Sequence, residues 1–152
     1  MIICGHNGEE YAVALTSPLS QVRQWIYEFQ GGLIYKGPDK VVSFVINGIQ
    51  YDYELKRGYR WDGASIPKRF RWLIGRPTDA KFRVASLFHD LGYEKRQIRV
   101  VQDVLFYYLL SCEGVSWWKA DLMYKAVRAG GHVYFASDSS KFWKLFRKVF
   151  SL

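Results

Sequence analysis

Acidic residues and one histidine at the ends of predicted elements are the side chains best suited to chemistry. His89 and Asp90 come near the end of an apolar helical pattern, Asp103 lies inside the next one, and Asp62 ends a short predicted strand. If short loops bring these ends together, His89, Asp62 and Asp103 supply one nitrogen and several oxygen ligands. Such a set is typical of sites for Mn²⁺, Mg²⁺, Fe²⁺ or Zn²⁺. A metal ion bound there activates water and polarises a phosphoryl or carbonyl group.

His89 and Asp90 are neighbours on one predicted helix, and adjacent helical side chains diverge by about 100°. We therefore expect one of them to contact a metal ion or substrate and the other to orient it. Asp103 approaches them if the two helices form an antiparallel pair across residues 92–99. The structural alternative makes Asp62 a turn residue that accepts backbone N–H bonds, and His89 a capping or buried hydrogen-bonding residue.

Ser65, Arg96 and Arg99 extend the candidate site. Ser65 is a nucleophile only beside a base, and His89 is the natural base among three histidines. Arg96 and Arg99 are predicted to hold an anionic substrate. In the structural alternative, Ser65 caps a turn and Asp103 pairs with Arg99, four residues earlier on the same helix. The residues alone leave both interpretations open.

The composition is typical of a basic globular protein. The 152 residues predict a single domain, and the hydrophobic and aromatic contents of 49% and 18% exclude disorder. The formal charge of +8 favours an anionic ligand or partner. Because the charge is spread along the chain, sequence-specific nucleic-acid binding is not expected. Two scattered cysteines exclude a disulfide framework, and Cys112 is expected on a buried helical face.

The apolar runs are all too short for a transmembrane segment, and the first residues lack the pattern of a signal peptide. We therefore expect the protein in the cytoplasm in which it is made.

Strands are predicted in the first half of the chain. Residues 41–46 lead into Asn47-Gly48, the preferred pair for a two-residue type I′ turn, and residues 49–55 return with strict alternation. Residues 11–15 and 59–61 also fit strands, residues 1–10 fit a loop or short edge strand, and residues 22–29 are ambiguous but favour a strand.

Helices are predicted in the second half. The first runs from Thr78 or Asp79 to Gly92, the second over residues 100–112 to Gly114, and the third over residues 116–130. Strands followed by helices predict an α+β fold, with an antiparallel sheet on which three to four C-terminal helices pack. Residues 141–150 form a basic amphipathic stretch that suits either the protein's own core or a partner.

Four motifs carry a resemblance to a known family. They are Asp62-Gly-Ala-Ser-Ile-Pro67, His89-Asp-Leu-Gly-Tyr93, Asp103-Val-Leu-Phe106 and Met123-Tyr-Lys-Ala-Val-Arg128. In this order they resemble the domain-of-unknown-function 1353 family over about residues 33–132. The chain departs from the family pattern at Gln102, where Ala is usual, and at Gly92, where a larger apolar residue is frequent.

The resemblance implies a protein of a tailed bacteriophage or prophage with no assigned activity. It makes Asp62, Ser65, His89, Asp90 and Asp103 the natural site candidates, either as a catalytic centre or as a buried polar network.

Two functions follow as hypotheses. One is a non-enzymatic virion component or host-interaction protein, supported by the aromatic content and by residues 141–150 as a contact for phage or host proteins. The other is a small metal-dependent hydrolase of phosphoesters or cell-wall material, with His89, Asp62 and Asp103 as ligands. In the first case the protein made in the host cytoplasm is assembled into the virion.

Overall fold

The computed structural model describes residues 2–4, 9–64, 66, 68, 71–95 and 98–128. Within them, strands come first and the long helices last, so the predicted α+β class is confirmed. The strands are β1 (Ile2–Cys4), β2 (Glu10–Leu15), β3 (Ile26–Phe29), β4 (Gly32–Tyr35), β5 (Lys40–Ile46), β6 (Ile49–Leu55) and β7 (Arg60–Trp61). The helices are α1 (Ser20–Arg23), α2 (Arg71–Ile74), α3 (Arg83–Glu94), α4 (Arg99–Cys112) and α5 (Trp117–Arg128).

The strands form two antiparallel sheets rather than the single predicted sheet. The larger has the order β1-β2-β5-β6, and the smaller has the order β3-β4-β7. The hairpin between β5 and β6 turns at Asn47 and Gly48, whose φ angles of 51° and 79° are those of the predicted type I′ turn. The side chain of Asn47 also accepts a hydrogen bond from the backbone of Ala12 at 2.8 Å, which ties the turn to β2.

An aromatic cluster joins the larger sheet to α3. The rings of Phe44 and Tyr53 on the sheet and Phe88 on the helix meet edge to face, with centroids 5.0–5.7 Å apart. All three side chains are fully buried, and this T-shaped geometry is the favoured one for aromatic pairs. Because Phe88 anchors one face of α3 to the sheet, the next residue, His89, faces away from that contact.

The smaller sheet positions the loop that follows Trp61. The indole nitrogen of Trp61 donates a hydrogen bond of 2.9 Å to Ser86 on α3. Gly63 then adopts a φ of +84°, and a Cβ there would overlap the carbonyl oxygen of Pro77. The amide of Ala64 donates to that same oxygen at 2.9 Å. Glycine is therefore required at position 63, because the backbone turns through a left-handed conformation with a close backbone neighbour.

Gly92 does not end α3, contrary to the prediction, because the helix continues to Glu94. A Cβ on Gly92 would overlap the side-chain amide of Gln102 on α4. Gln102 is completely buried and accepts a hydrogen bond from the hydroxyl of Tyr53. The glycine thus allows α3 and α4 to approach closely instead of supplying a positive φ. Gly92 and Gln102, the two departures from the family pattern, therefore pack directly against each other.

Three further predictions about elements need correction. Residues 22–29 are not one strand, since α1 ends at Arg23 before β3 begins. Asp79 does not cap the helix with its side chain; that carboxylate accepts a bond from the backbone of Arg76 at 3.0 Å, and a 3₁₀ turn over Ala80–Phe82 precedes α3. Cys112 is exposed rather than buried, because it lies in the last turn of α4.

Ser65, Arg96 and residues 141–150 lie outside the described residues, so the predictions made for them are untested. Among the helices of the described ranges, none has the length and apolar character needed to span a membrane.

Candidate functional site

Asp103 is the centre of a buried ionic network between α3, α4 and α5. Its side chain is completely buried. Oδ1 accepts hydrogen bonds from His89 Nε2 at 2.8 Å and from the Tyr93 hydroxyl at 2.6 Å. Oδ2 accepts a hydrogen bond from Arg128 Nη1 at 2.8 Å and lies 3.8 Å from Arg99 Nε. Both oxygens of this carboxylate are therefore occupied by donors from protein side chains.

These contacts decide the charge of Asp103. Burial acts to raise the pKa of its carboxyl, but the hydrogen bonds from His89, Tyr93 and Arg128 and the attraction to His89 outweigh burial. The pKa of Asp103 is lowered as a result, and the group is an anion throughout the neutral range.

Arg99 connects the helices. One terminal nitrogen donates to the carbonyl oxygens of Val127 at 2.6 Å and Arg128 at 3.1 Å, at the C-terminal end of α5. These bonds tie α4 to the last described residues of α5. Arg99 is absent from the walls of the cavity described next. Its contacts support the predicted structural pairing with Asp103 and do not support an anion clamp.

A cavity of about 410 Å³ opens beside this network. Its apolar wall is formed by side chains from the loop after β7 and from the helices α2, α4 and α5: Ala64, Ile66, Ile74, Phe106, Met123 and Val127. Its polar wall is formed by α3 and by the loop that follows β7: Asp62, Ser86, His89, Asp90, Tyr93 and Glu94. The volume lies in the range of roughly 300–1,000 Å³ that is common for small-ligand sites.

His89 connects the network to the cavity. Its ring lies against those of Tyr93 and Phe106, with centroids 4.3 and 4.8 Å away, so its orientation is fixed by packing. In a neutral imidazole, the carboxylate of Asp103 requires the proton to be on Nε2, which leaves Nδ1 with a lone pair. Nδ1 makes no hydrogen bond to a described residue. An oriented imidazole whose second nitrogen has no partner among the described residues is suited to act as a general base.

Asp90 occupies a different electrostatic environment on the same wall. Burial, followed by repulsion from Glu94 and Asp62, raises its pKa from 3.8 to about 7. Glu94 itself accepts a hydrogen bond of 3.0 Å from Tyr59. Asp90 therefore carries a proton in a large fraction of molecules near neutral pH. A carboxylic acid and an imidazole thus line one cavity as neighbours on α3.

The structure brings His89 to Asp103 as predicted, but it does not assemble the predicted set of metal ligands. Both Asp103 oxygens are hydrogen-bonded and two arginines lie beside them, whereas Asp62 is on the polar wall of the cavity with Asp90. Within the described ranges, no three side chains of the metal-binding types are arranged to share an ion. His89, Asp62 and Asp103 therefore do not fit a common metal centre.

Tyr93 and Arg128 were missed as site residues by the sequence reasoning. Both complete the shell around Asp103. The signal was present, because Tyr93 lies one helical turn after His89 and each residue ends one of the four motifs.

Comparisons with known proteins agree with the motif pattern. Residues 32–127 match the profile of a family described as "Protein of unknown function (DUF1353)". The chain belongs to the DUF1353 family. The match includes all of the described cavity-lining residues, whereas Arg128 lies one residue beyond it.

One relative of the chain is the "Uncharacterized protein y4jT" of Sinorhizobium fredii (strain NBRC 101917 / NGR234). It is 39% identical over 87 residues, which are 56% of this chain and 25% of the relative. The match therefore spans about a quarter of that protein's length. No solved structure matches the chain significantly.

Proposed function

We propose that this DUF1353 protein is a hydrolase that cleaves a carboxylic ester in the cavity, with His89 as general base. The observation that carries the proposal is the imidazole of His89, held by the buried Asp103 through Nε2 while its ring lines the cavity. Asp103 fixes the tautomer and stabilises the imidazolium that forms during reaction, as buried carboxylates do behind other catalytic histidines.

The reaction needs one proton acceptor and one proton donor. Nδ1 of His89 takes a proton from water, whose oxygen attacks the acyl carbon. The ester C–O bond then breaks, and the leaving oxygen takes the proton of Asp90. Transfer of the proton from His89 back to Asp90, directly or through solvent, restores both groups. The products are a carboxylic acid and an alcohol.

The charge of the cavity wall favours an ester over a phosphoester. Asp62 and Glu94 line the same wall as Asp90, and their negative charges repel a phosphate anion that enters without a counterion. A neutral acyl carbonyl carries no such penalty. Phosphoester hydrolysis, one of the alternatives that the sequence left open, is therefore the less favoured reaction class.

A non-enzymatic role in a phage or prophage particle is the second candidate. Trp72 and Trp117 are 77% and 74% exposed, and exposed aromatic side chains are frequent anchors in protein contacts. The phage origin implied by the motifs, and contacts of residues 141–150 with phage or host proteins, belong to this candidate. It predicts a stable protein without turnover of any ester.

The test is hydrolysis of 4-nitrophenyl butyrate and bis(4-nitrophenyl) phosphate by wild type and His89→Gln. Each is assayed with chelator and with added Ca²⁺, Mn²⁺ or Zn²⁺. We expect ester hydrolysis by the wild type that falls by about 10²- to 10⁴-fold in His89→Gln. Hydrolysis of neither substrate by folded wild type would favour the non-enzymatic role. Metal-dependent hydrolysis of the phosphodiester alone would favour the phosphoester hydrolase.

A further inference from the structure

The segment before α3, whose described residues here are Ile66, Lys68 and 71–76, contains both cavity-lining side chains and an exposed aromatic side chain. Ile66 and Ile74 line the apolar side of the cavity. Trp72 lies two residues before Ile74 on α2, and 77% of its surface is exposed to solvent. Since residues two apart on a helix point in nearly opposite directions, Ile74 faces the cavity while Trp72 faces solvent.

Basic side chains accompany Trp72. Lys68 and Arg76 are exposed on the same segment, and Arg71 is half-buried, with Nε bonded to the carbonyl of Ile66 at 3.1 Å. Asp79 is the acidic residue that pairs with Arg76, at 3.3 Å. This segment thus carries a local excess of positive charge in a chain whose net charge is +8.

Trp72 and these basic residues are suited to bind an anionic lipid surface. Tryptophan is enriched where apolar and aqueous phases meet, because its ring is apolar and its N–H is polar. Each lysine or arginine close to an anionic leaflet adds attraction that salt weakens. The apolar wall of the cavity, which includes Phe106, Met123 and Val127, suits an alkyl chain.

We propose that the substrate is a long-chain acyl ester in an anionic phospholipid bilayer, on which the chain docks through Trp72, Lys68 and Arg71. The alkyl chain enters the apolar side of the cavity, its ester carbonyl reaches His89, and the anionic headgroups stay outside against the basic residues. This inference rests on the proposed ester hydrolysis and names the substrate class of the same site.

The position of the charges explains how one protein accommodates an anionic surface and an acidic cavity. The acidic side chains of Asp62, Asp90 and Glu94 line the cavity, whereas Lys68 is exposed on the segment that borders it. Headgroups therefore meet positive charge on the outside, while only the uncharged acyl part passes the carboxylates.

Docking is measured without catalysis. Vesicles of phosphatidylcholine, with and without phosphatidylglycerol, are sedimented with wild type, His89→Gln, Trp72→Ala and the pair Lys68→Gln/Arg71→Gln. Trp117→Ala is the matched control, because Trp117 is equally exposed but lies at the far end of α5 from the cavity residue Val127. We expect binding that requires phosphatidylglycerol and weakens about tenfold in the Trp72 and the basic-pair variants. His89→Gln and Trp117→Ala should bind like wild type.

Substrate class is measured by comparing hydrolysis of phospholipid in these vesicles with hydrolysis of soluble 4-nitrophenyl butyrate. We expect Trp72→Ala to lower the ratio of vesicle to soluble hydrolysis about tenfold, with Trp117→Ala unchanged. Soluble hydrolysis without vesicle binding would overturn the lipid inference and leave the proposed function intact. Absence of all ester hydrolysis would overturn both, even if the protein bound vesicles. Equal binding to neutral and anionic vesicles would contradict the role of the basic residues.

Discussion

Burial acts to raise the pKa of both Asp90 and Asp103, yet the two pKa values shift in opposite directions. Asp103 has donors on both oxygens, so its pKa falls, whereas Asp90 has Glu94 and Asp62 as neighbours, so its pKa rises to about 7. Because their pKa values differ, the two carboxyl groups suit different roles. Asp103 is an anion that orients His89, and Asp90 is a proton donor.

Asp90→Asn should stabilise the protein at neutral and higher pH. The folded state holds a proton that the unfolded chain releases, so the contribution of Asp90 to stability falls as pH rises from about 4 to 7. An amide avoids this cost. We expect a free energy of unfolding roughly 2–4 kcal/mol higher than wild type at pH 8, and a gain that shrinks toward pH 4. Urea unfolding at both pH values measures it; a variant less stable at pH 8 would contradict the raised pKa.

Asp103→Asn should have the opposite effect. The lowered pKa means that the carboxylate stabilises the folded state above the unfolded value of about 3.8, and that this contribution is lost as pH falls through the folded value. The amide leaves Arg128 without its partner, and we expect a loss of about 3 kcal/mol at pH 7. Unfolding curves of wild type and variant should converge at acid pH. A constant difference across pH would indicate a packing defect instead.

At the residue scale, sequence reasoning offered His89 and Arg99 as neighbours of Asp103 but missed its hydrogen bonds with Tyr93 and Arg128. A carboxylate within a helical pattern looks the same whether it faces a metal ion or an arginine. Arg128 is 25 residues from Asp103 in the chain, and only the packing of α5 on α4 reveals that it closes the network.

At the element scale, the hairpin was predictable because Asn47-Gly48 encodes its turn locally. The continuation of α3 through Gly92 was not predictable, because a glycine near the end of a helical pattern has two possible structural roles. It ends a helix when its φ is positive, and it continues one when a neighbouring helix needs room. The second role applies here, because the buried side chain of Gln102 occupies the space beside Gly92.

The contact of Gly92 with Gln102 gives an element-scale prediction. Gly92→Ala forces the buried amide to move, and we expect a loss of roughly 1–3 kcal/mol in the free energy of unfolding. Gln102→Ala removes the obstruction, although it also deprives Tyr53 of its acceptor. A double-mutant cycle measured by urea unfolding should therefore show that Gly92→Ala costs less in the Gln102→Ala background. Additive losses would show that the two positions are not coupled.

At the scale of the whole molecule, the buried apolar residues form one connected core from Tyr11 to Val127. This continuity predicts a single cooperative unfolding transition, with coincident midpoints by circular dichroism and tryptophan fluorescence. Two separated transitions would mean that the sheets and helices unfold independently.

The α+β class was predictable at this scale, because strand patterns precede helical patterns in the chain. The division into two sheets was not, since the pairing of β4 with β7 joins residues 33–34 to residues 60–61 across the intervening hairpin. The cavity between the loop, α3 and α5 depends on that arrangement, and local patterns do not encode it.

Chemical rescue of His89→Ala by imidazole tests the central claim most directly. The measured quantity is the rate of 4-nitrophenyl butyrate hydrolysis with increasing imidazole, corrected for imidazole alone, beside wild type and Trp117→Ala. If His89 is the general base, the folded variant is inactive and free imidazole restores a saturable part of the activity. Full activity without imidazole, or a folded variant that imidazole never rescues, would contradict the role assigned to His89.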